Sequence, residues 1–282
     1  MAGVTPALGI AGARLAVPVF EPGTVWLVGA GPGDPGLLTL HAAHALAEAD
    51  VVLHDALVAP DILALAPQAR LEPVGKRAGR ARTPQLRINE RLIRLAREGH
   101  RVVRLKGGDP LVFGRGAEEA LALAAAGVRF RIVPGISAGI GGTAAAGIPT
   151  THRGLAHSVT FVTGHGLGGE LPPDLDWDAL ARGAPVLVFY MALRRIGAIA
   201  AHLYAAGRAA EEPVAFVIEA STLRQRVIMT TLARADAASA DIPRDAPTVI
   251  VVGPVVALRP LLAAWQDAAP MSCTPAPTRA TA

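Results

Sequence analysis

Thr24-Val-Trp-Leu-Val-Gly-Ala-Gly-Pro-Gly-Asp-Pro-Gly-Leu-Leu-Thr39 decides how the chain is read. The apolar run Thr24 to Gly29 ends in glycine and reads as a buried strand. A Gly/Pro turn follows, then Leu37 to Ala49 has helical composition, and Asp50 to His54 (DVVLH) is a second apolar run. Strand, glycine turn, helix and strand of these lengths make a right-handed βαβ unit, and so an α/β chain with a mainly parallel sheet.

The same alternation continues outward. Arg70 to Val74 is a candidate third strand, and a helix is expected from Thr83-Pro84, with Thr as cap and Pro at the first helical position, to Gly99. Arg101 to Leu105 reads as a strand, Gly116 to Ala126 as a helix and Val128 to Val133 as a strand. Pro and polar residues interrupt the pattern at Ile148 to Leu155, after which it restarts. Ser158 to Thr163, Pro185 to Tyr190, Pro213 to Ile218 and Thr248 to Val252 are expected strands, and Arg226 to Thr231 an additional, antiparallel one. Ile196 to Ala206 and Leu258 to Trp265 are expected helices. The division that follows is a flexible extension (1–22), an N-terminal α/β domain (23–150), a C-terminal α/β domain (151–267) and a flexible tail (268–282).

Composition narrows the function classes. Of 282 residues, 51% are hydrophobic and 18% charged, which excludes wholesale disorder. One cysteine, Cys273, excludes a disulfide scaffold and a cysteine metal cluster together. No metal-ligand spacing appears, since His41/His44, His152, His157 and His165 are dispersed or helical and read as structural. Met1 to Glu21 lacks a basic n-region, so no export signal is read there and the expected compartment is the cytoplasm. Ile132 to Thr151 is uncharged and long enough to span a bilayer, but its Gly, Ser, Thr and Pro content argues against a membrane helix.

The charge is local. Eleven bases and two acids lie between Gly75 and Lys106, leaving sixteen bases and twenty-one acids elsewhere. Such a block suits a compact polyanion, whereas a nucleic-acid partner is disfavoured because aromatics are only 4% of the chain. From Arg87 to Arg104 a solvated helix face explains the cations as well. Lys76, Arg77, Arg80 and Arg82 sit in a Gly-punctuated loop that has no helix face to solubilise.

Four short blocks carry the chemistry. Gly31, Gly33 and Gly36 satisfy the spacing of a dinucleotide fingerprint, with Asp55 at the next strand end where a ribose-binding acid would stand. Pro32 and Pro35, however, remove N–H donors, and Asp34 places a negative charge where a phosphate would go. A turn of that kind suits a cationic or neutral ligand. The second block is Leu105-Lys-Gly-Gly-Asp-Pro-Leu-Val-Phe-Gly-Arg-Gly-Ala-Glu-Glu119, in which Gly107-Gly108 allow close backbone approach and Arg115 is fixed on a tight turn. Val133-Pro-Gly-Ile-Ser-Ala138 is the third and Phe189-Tyr-Met191 the fourth.

Together these blocks resemble the tetrapyrrole methylases. The resemblance runs from about residue 24 to about 265 and rests on VGAGPGDPGLLT, the DALV at Asp55, GKRAG at Gly75, QLRIN near Gln85, KGGDPLVFGRGAEE, VPGISA, GIPTTHRG and FYMAL. It implies two α/β domains with the cofactor in the cleft between them, and a homodimer. It also implies S-adenosylmethionine as donor, S-adenosylhomocysteine as product and uroporphyrinogen III as acceptor. Methylation at C-2 and C-7 would give precorrin-2 by way of precorrin-1, for siroheme or cobalamin synthesis. Residue by residue, the implied cofactor contacts are Pro32, Gly107, Gly108, Asp109, Val112, Ser137, Ala138 and Met191, with Ser221 and Thr248 in less matched segments. The family pattern has Asn-Gly where this chain has Ala220-Ser221.

Asp55 and Arg115 match positions acting near the transferred methyl, and Lys76, Arg77 and Arg80 would meet the acceptor's carboxylates. The chemistry agrees: a sulfonium donor needs no diphosphate cradle, and a ring with eight carboxylates suits arginine forks. Fused relatives carry an additional N-terminal dehydrogenase and chelatase region, and none is expected here. The alternatives are a related methylase acting on another corrinoid carbon or on RNA, a dinucleotide-dependent oxidoreductase and a nucleic-acid-binding protein.

Overall fold

The structure, a computed structural model, describes residues 7–10, 13–75, 84–166 and 169–266. The expected substrate loop Lys76–Arg82, with Lys76, Arg77 and Arg80, lies outside the described residues, as does the tail 268–282. Strands β1 (Ala7–Ile10) and β2 (Ala13–Ala16) form a separate antiparallel ribbon.

The first sheet holds β3 (Thr24–Gly29), β4 (Val51–His54), β5 (Arg70–Pro73), β6 (Arg101–Lys106) and β7 (Phe130–Val133). Its order is β5-β4-β6-β3-β7 and every pair is parallel, as the sequence pattern predicts. Helices α1 (Leu40–Glu48), α2 (Pro60–Leu63), α3 (Gln85–Arg97) and α4 (Gly116–Ala125) make the crossovers. Alternation along the strands feeds two cores: Trp26 and Val28 pack with Leu46, Val52 and Leu105, while Val25 and Leu27 pack with Leu53, Leu92 and Leu123.

Local rules set the helix boundaries. The helix expected from Leu37 begins at Leu40, because Thr39 accepts from the Ala42 N–H and caps it. Pro35–Leu37 forms a 3-10 turn instead, capped by Asp34. Pro84 precedes the first residue of α3 rather than occupying it, and Thr83 lies outside the described residues. Residues 17–20, expected to be loose, are packed. Val17 and Phe20 are buried, Phe20 stacks on Trp26 at 4.4 Å, and the Pro18 carbonyl pairs with His44 Nε2 at 3.0 Å.

The second sheet holds β8 (Val159–Thr163), β9 (Val186–Tyr190), β10 (Pro213–Ile218), β11 (Arg226–Thr231) and β12 (Thr248–Val252) in the order β11-β10-β12-β9-β8. The expectation of a mainly parallel sheet fails in this half, where β8–β9 is parallel and the other three pairings are antiparallel. The turn after β10 returns as the antiparallel β11, and β12 wedges between β10 and β9 against the direction of both. An apolar run has the same composition whichever way it enters a sheet.

Helices α5 (Thr143–Ala145), α6 (Trp177–Gly183), α7 (Ile196–Ala205), α8 (Ala235–Ala238) and α9 (Arg259–Gln266) complete the fold. Ala146, Ile148 and Ala156 close one face of the second sheet against Val188, Ala215 and Val251. Among the described residues no helix is long and apolar enough to cross a membrane. The uncharged stretch 132–151 is divided between the end of β7, a π-helical turn Ala138–Gly142 and α5.

Arg101 and Arg104, counted in the sequence with a helix face, stand on β6. Arg101 clasps Asp50 through its backbone N–H (2.7 Å) and Nη2 (2.8 Å), joining the starts of β4 and β6. Hydrogen bonding from Arg101 holds the Asp50 carboxyl below its ordinary range. A carboxyl depressed on folding stabilises above its unfolded pKa, about 4, and loses that contribution as pH falls through the folded value. Asp50→Asn is therefore expected to flatten the acid side of the stability curve, measured as denaturant midpoints at stepped pH.

Where the first-sheet strands end, backbone meets backbone. A Cβ on Gly135 would lie 2.2 Å from the Gly108 carbonyl oxygen and 2.6 Å from Gly29 Cα. Gly135→Ala should cost about 3 kcal/mol or more in chemical denaturation, because overpacking here has no flexible side chain to displace. Gly183→Ala, where nothing lies within 4 Å, should be close to neutral.

Candidate active site

All five strands of the first sheet point one way, so the segment after each one emerges at the same edge. Ligands in open α/β sheets collect at that carboxyl edge. Gly29 to Gly36 follows β3, Asp55 follows β4, Gly107 to Gly116 follows β6 and Pro134 to Ala138 follows β7. Distant motifs thereby become one surface. Gly31 and Gly108 exchange both backbone hydrogen bonds, at 3.2 and 2.8 Å. Asp109 staples the third motif to the second: its Oδ2 accepts from Gly135 N at 3.0 Å and its Oδ1 from Leu111 N at 2.8 Å.

The second sheet brings its own residues to this edge. Tyr190 ends β9, Ile218 ends β10, and Thr248 begins the oppositely running β12, paired with Ile218. Met191, Ser221 and Thr248 therefore share one end of that sheet. Tyr190 Oη crosses the gap, 2.7 Å from Ser137 Oγ and accepting from Gly139 N at 2.7 Å. Ser221 Oγ crosses it as well, accepting from Asp34 N at 3.1 Å. Phe113 stacks obliquely on Tyr190 with ring centroids 5.1 Å apart.

The turn at 31–36 is not a phosphate cradle. Gly31 N is taken by Gly108, Asp34 N by Ser221 and Gly36 N by Asp34 Oδ1 (2.7 Å), while Pro32 and Pro35 have no N–H. Among the described residues, Gly33 alone in the turn has no partner for its N–H. By contrast, the Gly107-Gly108 doublet leaves room: a Cβ at Gly107 would touch Leu57 Cβ at 3.6 Å, and at Gly108 Ser137 Cα at 3.7 Å. Leu57 beside Gly107, Phe113 beside Tyr190 and Met191 are all exposed, which supplies apolar surface next to backbone polar groups.

Strain marks the same region. Among the described residues the non-glycine positions with left-handed backbone are Phe113 (φ 52°), Arg115 (φ 61°), Met191 (φ 54°), Glu219 (φ 48°) and Ser221 (φ 59°). Each costs about 1–3 kcal/mol unless its surroundings compensate, and such residues gather at functional sites. Ser221 adopts a conformation that glycine takes freely. Arg115, on the turn that starts α4, forms a two-pronged pair with Glu118 at 2.8 and 2.7 Å.

Asp55 stands on a buried charge cluster. Arg104 Nη2 reaches Asp55 Oδ1 at 2.5 Å, and Lys106 Nζ lies 3.7 Å from Oδ2. Both cations also meet Glu119 Oε1, at 2.9 and 3.3 Å, which Gln85 Nε2 reaches at 3.0 Å. Burial, then the neighbouring Arg104 charge, pushes the Lys106 amine below its ordinary range.

Sequence reasoning missed Arg104, Lys106 and Glu119, and it gave Tyr190 no role of its own within the fourth block. The signal was present: in Arg101-Val-Val-Arg-Leu-Lys106 the charges at 104 and 106 fall on the inward face that carries Val102. A charge repeated every second residue in an apolar strand has to find a buried partner. Of the implied site residues, the structure joins Gly108, Asp109, Ser137 and Ser221 by direct bonds across the motifs. Pro32, Gly107, Val112, Ala138 and Met191 lie in those same segments. Thr248 sits at the shared end of the second sheet, next to the Glu219 N to Pro247 O bond of 2.8 Å.

Two α/β sheets whose strained, glycine-lined strand ends meet and are bridged by Tyr190 and Ser221 define a class. The chain belongs to the tetrapyrrole (corrin/porphyrin) methylases, whose sequence profile matches residues 24–236. It is similar to the uroporphyrinogen-III C-methyltransferase of Sinorhizobium sp., 59% identical over 247 residues that make up 87% of this chain and 88% of that one. It is 51% identical over 247 residues to a siroheme synthase of Pseudomonas fluorescens, of which the match takes up 53%. Among solved structures it resembles the Thermus thermophilus uroporphyrin-III C-methyltransferase complexed with S-adenosylhomocysteine. That likeness has 43% identity and a TM-score of 0.73, covering 83% of this chain and 99% of that one.

Tyr190→Phe removes the acceptor for the Gly139 N–H while leaving the ring in place. An unsatisfied buried donor costs about 1–3 kcal/mol, so a stability loss of that size is expected in denaturant titrations, together with weaker adenosylhomocysteine binding in calorimetry.

Proposed function

We propose that this chain transfers methyl groups from S-adenosylmethionine to C-2 and C-7 of uroporphyrinogen III, giving precorrin-2 by way of precorrin-1. The observation that carries the reading is the 59% identity to the Sinorhizobium methyltransferase, which includes nearly the whole of both chains. The cleft supports it. A turn with all but one of its N–H groups spent, a roomy glycine doublet and exposed apolar side chains suit a sulfonium nucleoside better than a dinucleotide.

S-adenosylmethionine, when bound, supplies a methyl carbon already activated for in-line displacement by its positive sulfur. The protein's part is to hold a nucleophilic pyrrole carbon in line with that methyl. Gly107, Gly108, Ser137, Ala138 and Met191 hold the donor, helped by Pro32, Asp109, Val112, Ser221 and Thr248. Asp55, its carboxylate aimed by Arg104, accepts a proton from the pyrrole or balances its cationic character as it is methylated. Arg115 clamps a carboxylate of the macrocycle, and Lys76, Arg77 and Arg80 bind others. Assembly as a homodimer and a cytoplasmic setting belong to the same reading, as does a product destined for siroheme or cobalamin synthesis.

The test is the mass of the product formed from uroporphyrinogen III and labelled donor. Successive gains of one and two methyl groups are expected. No gain, or tight nicotinamide dinucleotide binding without adenosylhomocysteine binding, would overturn the reading. Asp55→Ala should lower turnover about a hundredfold or more with little change in adenosylhomocysteine affinity.

A further inference from the structure

We propose that Glu119 is a positioning residue for Asp55, fixing the direction and the charge of that carboxylate through Arg104 and Lys106. The inference deepens the role given to Asp55 above and rests on it.

The geometry is restrictive. Glu119 is completely buried on α4, and its Oε1 takes hydrogen bonds from Arg104 Nε, Lys106 Nζ and Gln85 Nε2. Arg104 has no freedom left: Nε is held by Glu119, Nη1 by the carbonyls of Leu53 and Leu105, and Nη2 points at Asp55. The side chains of Arg104, Lys106 and Glu119 are 2%, 3% and 0% exposed, against 32% for Asp55. Within this cluster, then, Asp55 is the member that meets solvent at the strand ends.

The charges sum to zero, two cations against two carboxylates. Around Asp55, β6 contributes Arg104 and Lys106, α4 contributes Glu119 and α3 the neutral Gln85. His54, on β4, turns its Nδ1 to the Asp55 carbonyl at 3.1 Å. These are the charged and titratable groups of the cluster among the described residues.

Glu119→Gln keeps the shape, raises the charge behind Asp55 from +1 to +2 and leaves the whole cluster with one net positive charge. A nearby positive charge makes a carboxylate a poorer proton acceptor. Lys106 already releases its proton below the ordinary lysine range and loses in this variant an anionic neighbour that helps to keep it charged. Its deprotonation at raised pH would restore neutrality. The expected signature is a loss of about tenfold or more in kcat near neutral pH that shrinks as pH rises. Glu119→Asp, which keeps the charge, should lose activity without that pH dependence. The double variant Glu119→Gln/Lys106→Met, neutral again at every pH, should recover much of the lost rate near neutrality.

A purely structural Glu119 predicts instead that the Gln and Asp variants lose the same fraction at every pH and that the double variant is no better. Either result, or full activity in Glu119→Gln, overturns the proposal. If the single Gln variant does not fold, the double variant against wild type and Lys106→Met decides alone, and failure of the double variant to fold or to recover activity counts against it. Titration of ¹⁵N-labelled Lys106 by NMR adds a readout that needs no substrate, with a lower midpoint expected in Glu119→Gln. That shift appearing while Asp55→Ala leaves turnover intact would sink the assigned role of Asp55, yet leave the electrostatic coupling standing.

Discussion

Backbone contact at the carboxyl ends of β3, β6 and β7 is the constraint on which the molecule depends. Gly29, Gly108 and Gly135 approach so closely that a single added carbon on Gly29 or Gly135 would overlap main-chain atoms of the others. That approach lets Gly31 and Gly108 pair as a fragment of antiparallel ladder, and Asp109 then pins Gly135 from the other side. Three loops far apart in the chain become one surface, held by backbone contact and the Asp109 carboxylate. The glycines at 29 and 135 are therefore a packing requirement, whereas the 107–108 doublet keeps open space beside it.

The second sheet closes this surface through two polar bridges, Tyr190 to Ser137 and Gly139, and Ser221 to Asp34. Both start from residues in or next to left-handed backbone, at Met191 and Ser221. Strain at the strand ends of one sheet is compensated by hydrogen bonds to the loops of the other. Rearranging the cleft would break both at once, which gives the site a defined geometry. Beneath it, the pairing of Arg104 and Lys106 with Glu119 and Asp55 is electrically closed, so burying two cations leaves no net charge uncompensated.

Much of this was legible. Apolar runs ending in glycine located the strands because a strand buried on both faces has little other composition available. Pro32, Pro35 and Asp34 argued correctly against a pyrophosphate cradle, since losing N–H donors is a local property of the chain. Less legible was anything that depends on partners. Arg104 looked like one more base in a cationic block, and its burial follows only once α4 brings Glu119 over β6. Val17 and Phe20 fell in the expected flexible extension, yet both are buried, Phe20 stacked on the Trp26 ring.

The sequence by itself determined the strands of the two five-stranded sheets, the longer helices, the glycine-rich turns and the residue types available to the site, because periodicity, capping and missing N–H groups act within a few residues. Tertiary structure alone decided that β12 enters between β9 and β10 against their direction, that Tyr190 reaches Ser137 across 53 positions, and that Glu119 and Asp55 together neutralise two buried cations. Those are long-range choices, set by which surfaces exclude water together, and no local pattern encodes them.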